Sequence, residues 1–221
     1  MEQAIPGNRT FPIVCAIDPD RDLVEATKRG DAFAFEELVR KYDRKLFRIT
    51  QNVVHNSEDA QEVVQTAFLK AFQNLHRFQG DAKFSTWLVR IALNEALGRL
   101  RKQGKVREQS LDIDPYSDGS SEWLPLDVAD WAPSPESIYS AVEFRNILKN
   151  ALEKLRPALR VVFVLRDIEE HSILETSGIL NLTPTAVKAR LFRARMQLRE
   201  ELNQYFKRPE KAPLGIRVLP S

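Results

Sequence analysis

The chain has 221 residues, of which 43% are hydrophobic and 29% are charged, a balance typical of soluble globular proteins and not of disordered or fibrous ones. The formal net charge is only +2, but acids crowd residues 108–136 while bases crowd residues 99–107 and 188–199. Such segregation predicts that particular segments contact a polyanion.

Three helices are predicted in the first half of the chain. Apolar residues recur every three or four positions over residues 31–54, which is the period of one helical face. A second helix is predicted to begin with Ser57 as its N-cap and with acids in its first turn. A third helix is predicted from about Ser85 to a basic end at residues 99–102. The predicted buried stripe of the second helix comprises Ala60, Val63, Val64, Ala67, Phe68, Ala71, Phe72 and Leu75.

The loop RFQGDAKFSTW, residues 77–87, holds three large aromatic side chains in a polar, glycine-containing stretch. Such aromatic side chains either pack onto the hydrophobic core or stack on flat ligands. Trp87 lies on the buried side of the third helix, so we expect Trp87 and Phe84 to anchor that helix. Phe78 stays in the loop, and we predict that it is the aromatic that meets an unstacked base.

Basic and polar side chains of the third helix lie beside this loop and off its apolar stripe, namely Arg90, Asn94 and Arg101. Aromatic rings beside a basic groove are typical of proteins that bind single-stranded nucleic acid, in which each stacked base contributes about 1 to 3 kcal/mol. This stretch therefore predicts a single-strand interface.

Residues 104–136 break the helical pattern with glycines, prolines and acids, and we predict a flexible acidic linker. Trp123 and Trp131 in this linker could dock on a partner or pack back on their own domain. The sequence predicts an all-α protein with two small helical domains. The predicted division is an N-terminal extension at 1–24, a first domain at 25–103, the linker at 104–136, a second domain at 137–206 and a flexible tail at 207–221.

The second domain ends in the pattern of a helix-turn-helix. A short helix is predicted over residues 172–180, with Asn181 at its stop because asparagine tolerates the left-handed conformation. A long basic helix follows from Thr183 and Pro184. One of its faces carries Val187, Leu191, Ala194 and Leu198, which should pack on the domain core. The other side presents Thr185, Lys188, Ala189, Arg190, Phe192 and Arg193, which could hold phosphates and read base edges, although a merely solvated basic helix is the alternative.

WLVRIALN at 87–94, preceded by FQGDAKF at 78–84, resembles conserved region two of bacterial sigma factors. The segment from 155 to 202, which contains the helix-turn-helix, resembles region four of the same superfamily. Two such regions with little between them resemble the extracytoplasmic function (group IV) sigma family. The resemblance covers about residues 31–102 and 138–204 and rests on two independent motifs in the expected order.

The resemblance implies that the protein binds core RNA polymerase and opens promoter DNA, which it would contact both as duplex and as single strand. It implies minus-ten contacts by Asn74, Phe78 and Asn94, to which the basic groove adds Arg90. It implies that the basic helix reads the minus-35 element. The implied polymerase-binding residues are Asp59, Glu62, Gln65 and Thr66. The group also implies an anti-sigma factor as a partner.

A helix-turn-helix transcriptional regulator that is not a polymerase subunit is the alternative, but it leaves the aromatic loop and WLVRIALN unexplained. A hydrolase or metalloenzyme is less compatible, because the histidines are scattered and no glycine-rich phosphate loop is present. We expect His55, His76 and His171 to be surface residues, with no metal, cofactor or enzymatic activity.

The single cysteine, Cys15, excludes an internal disulfide and fits a reducing, cytoplasmic compartment. The apolar run at residues 161–165 is too short to span a membrane. We also expect no signal peptide, because no basic segment precedes the short apolar patch near the N-terminus. The sequence therefore predicts no insertion into a membrane.

Overall fold

The computed structural model describes residues 18–104 and 141–206, and within these ranges it contains helices and no strand, which confirms the predicted all-α class. The N-terminal bundle consists of α1 (Arg21–Lys28), α2 (Ala32–Val54), α3 (Ser57–Asn74) and α4 (Phe84–Lys102), with a 3₁₀ turn at Leu75–Arg77. The C-terminal bundle consists of α5 (Ala141–Lys154), α6 (Pro157–Phe163), α7 (Ile173–Leu180) and α8 (Pro184–Phe206), with a π-helical turn at Val164–Ile168. The predicted linker, apart from Gly104, and the predicted tail lie outside the described residues.

The helix starts follow from capping chemistry. The Asp31 carboxylate accepts hydrogen bonds from the backbone N–H groups of Phe33 and Ala34 and so begins α2. The predicted cap of α3 is wrong by one residue: Asn56 is the N-cap, and Ser57 is the first helical residue. Asn56 has the extended backbone of a cap, and its side-chain oxygen accepts from the Asp59 N–H at 2.9 Å, so it occupies the role predicted for the serine.

The core of the N-terminal bundle is formed where α2, α3 and α4 face one another. Leu38, Leu46 and Ile49 of α2 are fully buried. The predicted stripe of α3 is buried except for Phe72, which is 52% exposed. At the last turn of α3, Phe72 packs against Phe35 of α2, with ring centroids 4.9 Å apart, and leaves its other side in solvent. The prediction that Phe72 is a core residue is therefore wrong.

Helix α1 is not predicted by the sequence analysis, and it crosses the boundary that we expected between residues 24 and 25. Only Val24 and Thr27 of its eight residues are buried, which is too short a pattern to reveal a helical period. The helix is fixed by Asp20, which is 1% exposed and accepts hydrogen bonds from Lys41 and the Tyr42 hydroxyl of α2. The described part of the N-terminal extension thus belongs to the first bundle.

The two bundles share buried surface, because the run VVFVL at 161–165 is apolar on every side. Val162 packs with Val187 and Leu191 inside the C-terminal bundle. Val161 and Leu165 instead join the core of the N-terminal bundle. The sequence predicts a buried helical run here, and the structure divides its residues between two different cores.

Arg160 connects the two bundles through its buried guanidinium group. It is 6% exposed and donates hydrogen bonds to the carbonyl oxygens of Leu152 and Leu155, and to that of Val53 at the end of α2 at 2.6 Å. Burial lowers the pKa of Arg160 to about 10, so the side chain remains protonated at neutral pH. This buried cation satisfies carbonyl groups at the ends of two helices from different bundles.

Candidate nucleic-acid interfaces

The turn between α7 and α8 has the geometry of a helix-turn-helix. Ser172 caps α7 through a reciprocal pair of hydrogen bonds with Glu175. Asn181 ends α7 in the left-handed conformation, with φ at 53°, as the sequence predicts. The Thr183 hydroxyl accepts from the Ala186 N–H at 3.1 Å and caps α8, which also confirms the prediction.

Helix α8 divides into an inward and an outward side as predicted. Val187, Leu191, Ala194 and Leu198 are buried. On the outward side, Thr185, Lys188 and Phe192 are exposed, while Ala189, Arg190 and Arg193 are half-buried. Phe192 is 50% exposed, so part of its phenyl ring is available for apolar contact with a ligand.

Arg195 holds α8 to the rest of the bundle. Its guanidinium group makes two hydrogen bonds to the Asp167 carboxylate of the π-helical turn, at 2.9 and 2.7 Å. These bonds raise the pKa of Arg195 above its usual value. Because this fork-shaped pair fixes the angle of α8, Arg195 contributes to orienting the outward side of the helix.

The aromatic residues of the loop form one cluster. Phe84 is fully buried, and Trp87 is half-buried against the core, as predicted. Phe78 is only 8% exposed, and its ring centroid lies 5.1 Å from that of Trp87 and 6.1 Å from that of Phe84. Phe78 does lie in the loop, as predicted, but its ring is buried, because packing the three rings against one another removes apolar surface from water. A base contact by Phe78 stays a prediction, and it requires the ring to leave this cluster.

The predicted polar groups around the loop do not all share one surface. Asn94 is exposed on α4, whereas the Asn74 amide donates to the Lys70 carbonyl at 2.8 Å within α3. Arg90 donates to the Gly178 carbonyl of α7, and burial lowers the pKa of Arg90 below its usual value. In this arrangement α7 covers the Arg90 end of the α4 surface.

The α3 residues predicted to bind polymerase lie on or near an exposed strip. Glu62 and Gln65 are exposed and Thr66 is half-buried, while the Asp59 side chain is 16% exposed. Arg99 of α4 pairs with Asp59 at 2.7 Å and with Glu62 at 2.5 Å. The sequence did not reveal Arg99 as part of this surface, because basic residues are common near the C-terminus of a helix. It also did not reveal Leu69 and Phe72 as exposed apolar residues of α3.

The prediction of surface histidines is wrong for His171, which is 9% exposed at the contact between the two bundles, and for His55, whose side chain is 9% exposed. The turn that leads into α7 is covered by the N-terminal bundle, which brings Lys45 and Lys83 near the imidazole. Within residues 18–104 and 141–206 no group of three or more histidine, cysteine, aspartate or glutamate residues is placed to hold a metal ion. None of the helices in those ranges is both long and apolar enough to cross a membrane.

Comparison with known proteins identifies both bundles. The family model Sigma-70 region 2 matches residues 38–106, and Sigma-70, region 4 matches residues 145–198. The ECF RNA polymerase sigma factor SigW of Bacillus subtilis is 34% identical over 179 residues, which cover 81% of this chain and 94% of that protein. The ECF RNA polymerase sigma-E factor of Escherichia coli K12 is 34% identical over 189 residues, which cover 86% and 97% respectively.

The chain belongs to the ECF family of RNA polymerase sigma factors.

The fold agrees with this assignment. The structure of CnrH in complex with the cytosolic domain of CnrY superimposes with a TM-score of 0.61 at 26% identity, covering 85% of this chain and 99% of that one. This sigma factor therefore acts in transcription initiation, and the alternative of a regulator that is not a polymerase subunit is excluded. The N-terminal bundle contains region 2, and the C-terminal bundle contains region 4.

Proposed function

We propose that this sigma factor binds core RNA polymerase and divides promoter recognition between its two bundles. The C-terminal bundle fixes duplex DNA at the minus-35 element, and the N-terminal bundle receives an unpaired strand at the minus-ten element. The observation that carries the proposal is the presence, in one chain, of an exposed basic helix-turn-helix surface and of the aromatic loop beside Asn94. A conventional repressor has no use for the second feature.

At the minus-35 element, the proposed contacts are made by the outward side of α8. The buried residues Val187 and Leu191 anchor the helix, so the exposed Lys188 and Phe192 face away from the core. Lysine and arginine side chains supply phosphate contacts, and a bidentate arginine reads guanine in the major groove. The full proposed set is Thr185, Lys188, Ala189, Arg190, Phe192 and Arg193.

At the minus-ten element, the proposed contacts are Asn74, Phe78, Arg90 and Asn94, of which Asn94 is exposed as the structure stands. A displaced base costs a few kcal/mol to unstack, and a protein surface that receives the base drives melting. Arg90 can take part only after its hydrogen bond to Gly178 of α7 is broken. Promoter opening by this protein therefore requires α7 to separate from α4.

For core polymerase, the proposed contact surface is the outward strip of α3, with Asp59, Glu62, Gln65 and Thr66. Leu69 and Phe72, which are 56% and 52% exposed, extend this strip with apolar surface. Exposed large apolar side chains on one helix are typical of a protein interface. An anti-sigma factor that covers the same strip would prevent polymerase binding, and we include such an inhibitor as a proposed partner. We place the protein in the cytoplasm, where polymerase and promoters are.

The test is reconstitution with purified core polymerase. The sigma factor should co-elute with core polymerase in gel filtration and should direct run-off transcription from a subset of fragments in a genomic library. Core polymerase alone is the control for nonspecific initiation. A protein that neither co-elutes nor adds transcripts to those made by core polymerase alone would contradict the proposal.

A further inference from the structure

The loop between Phe78 and Phe84 is held at both ends by the segment that precedes α2. At the first end, the Lys28 ammonium group donates a hydrogen bond to the Phe78 carbonyl oxygen at 2.9 Å and lies 5.8 Å from the centroid of the Phe78 ring. At the second end, the Asp18 carboxylate accepts from the Phe84 backbone N–H at 2.7 Å. Both residues lie outside the span matched by Sigma-70 region 2, which begins at residue 38.

The segment that makes these contacts is itself fixed to the bundle. The second oxygen of Asp18 accepts from the Asp20 backbone N–H at 3.1 Å. Asp20 is buried, where it accepts from Lys41 and Tyr42, and Val24 lies in the hydrophobic core. The contacts of Asp18 and Lys28 therefore connect the loop to α2 rather than to a loose end of the chain.

Residues 79–83, between the two held ends, face solvent or are only half-buried. Gly80 has φ at +79°, a left-handed conformation that favours glycine, with open space where a side chain would begin. A loop with fixed ends has fewer conformations to lose when it receives a ligand, and its ordering therefore costs less free energy at binding.

We propose that Lys28 and Asp18 are positioning residues for the minus-ten loop, residues 79–83. They fix the distance between its two ends and so increase its affinity for the unpaired minus-ten strand. The inference rests on the proposed function. It assigns a role in minus-ten binding to a segment that begins at Asp18, about twenty residues before the match to Sigma-70 region 2. Lys28 acts through the Phe78 carbonyl rather than through contact with the base.

The test uses full-length sigma factor bound to core polymerase and two fluorescein-labelled probes taken from one promoter found by run-off transcription. One probe is the single non-template strand of the minus-ten region, and the other is duplex DNA of the minus-35 region. Lys28→Gln removes a charge-assisted hydrogen bond and should weaken binding of the single strand about tenfold. Binding of the duplex probe should stay unchanged, and the protein should remain folded at the temperature of the binding assay.

Arg29→Gln is the matched control, because it removes the same charge from the next residue. The Arg29 side chain is exposed and makes no hydrogen bond or ion pair with the described residues. Lys28→Arg, which keeps a cationic donor, should restore single-strand affinity to within about threefold of the wild type. Asp18→Ala should weaken single-strand binding in the same direction as Lys28→Gln.

Equal single-strand affinity of the Lys28→Gln and Arg29→Gln complexes would overturn the inference and leave the proposed function intact. A Lys28→Gln protein that loses affinity for both probes together with thermal stability would also overturn it, because that pattern indicates a general structural role. A wild-type complex that binds neither probe would overturn the proposed function, and this inference with it.

Discussion

His171 is a buried residue whose pKa makes the stability of the fold depend on pH. Burial is the main cause that lowers the pKa of His171 below its usual 6.5, and Lys45 and Lys83 act in the same direction, while Glu175 and Glu169 oppose them. The imidazole is therefore neutral in the folded protein at neutral pH. In the unfolded chain it takes up a proton as the pH falls through about 6.5, so acidification favours the unfolded state.

We expect the midpoint of thermal unfolding to fall between about pH 7.5 and about pH 5.5, and to fall less in a His171→Asn variant. Protonation of Glu175 does not contribute in this pH range. Burial by itself raises the pKa of Glu175, but hydrogen bonds with Ser172 outweigh it and leave that pKa below its usual 4.5, so its effect begins only at lower pH. The exposed His76 provides the control variant, His76→Asn. Identical pH dependence in His171→Asn and in the wild type would show that His171 does not couple to unfolding.

Substitution of Arg193 tests the proposed contact between α8 and promoter DNA. Arg193→Ala should weaken promoter binding by about 1 to 3 kcal/mol and make its salt dependence shallower by about one unit of slope, because one cationic contact is lost. Binding is measured by fluorescence anisotropy over a salt titration. Arg44→Ala, at an exposed position on α2, should change neither quantity. An Arg193→Ala variant with the wild-type slope would exclude this residue from the interface.

At the scale of elements, the turn of the helix-turn-helix depends on one backbone conformation. Asn181 has φ at 53° and ψ at 45°, and the N–H of this residue donates to the Ser177 carbonyl at the end of α7. The next residue, Leu182, donates to the same carbonyl at 3.1 Å. Because only three residues separate α7 from α8, the left-handed residue sets the direction from which α8 enters.

Asn181→Ala should lower the free energy of unfolding by about 1 to 2 kcal/mol, since alanine pays the steric penalty of the left-handed region. Asn181→Gly should be neutral or slightly stabilising, because glycine adopts that conformation without strain. Urea denaturation followed by circular dichroism measures both variants. If alanine and glycine gave the same stability, the backbone conformation would not be the factor that selects asparagine.

At the scale of the whole molecule, the two bundles meet through a contact that has an apolar part and an ionic part. Ile179 of α7 is 2% exposed and belongs to the core of the N-terminal bundle, and Arg48 of α2 pairs with Glu169 at 2.7 Å. Thr176 and Ser177 on the same helix are also buried, at 0% and 2% exposed.

Ile179→Asp should separate the bundles without unfolding them, because a buried carboxylate would replace an apolar contact between α7 and the N-terminal core. Small-angle X-ray scattering should show a larger radius of gyration, while helical content by circular dichroism is kept. Leu174→Asp on the same helix is the matched control, because Leu174 is 59% exposed and should leave the radius unchanged. An Ile179→Asp protein as compact as the wild type would contradict the role of this contact.

The sequence by itself determined α2, α3, α4, α7 and α8 and the motifs that they carry, but not α1. The period of apolar residues in α2 and α8, the left-handed stop at Asn181 and the cap at Thr183 depend on neighbours within about four positions, which a sequence displays directly. These local rules also assigned the inward and outward sides of α8. Composition alone, three aromatic residues in a polar stretch, marked the loop at residues 77–87 as a candidate interface.

Only the tertiary structure decided which surfaces of those helices are covered. It buries Phe78 against Trp87, connects Lys28 to a carbonyl 50 residues away, and places the Gly178 carbonyl, 88 residues from Arg90, on the α4 surface. Such contacts join residues far apart in the chain, and no local period encodes them. The all-apolar run at 161–165 was the one sequence signal of the contact between bundles, because a segment buried on every side needs apolar residues at every position.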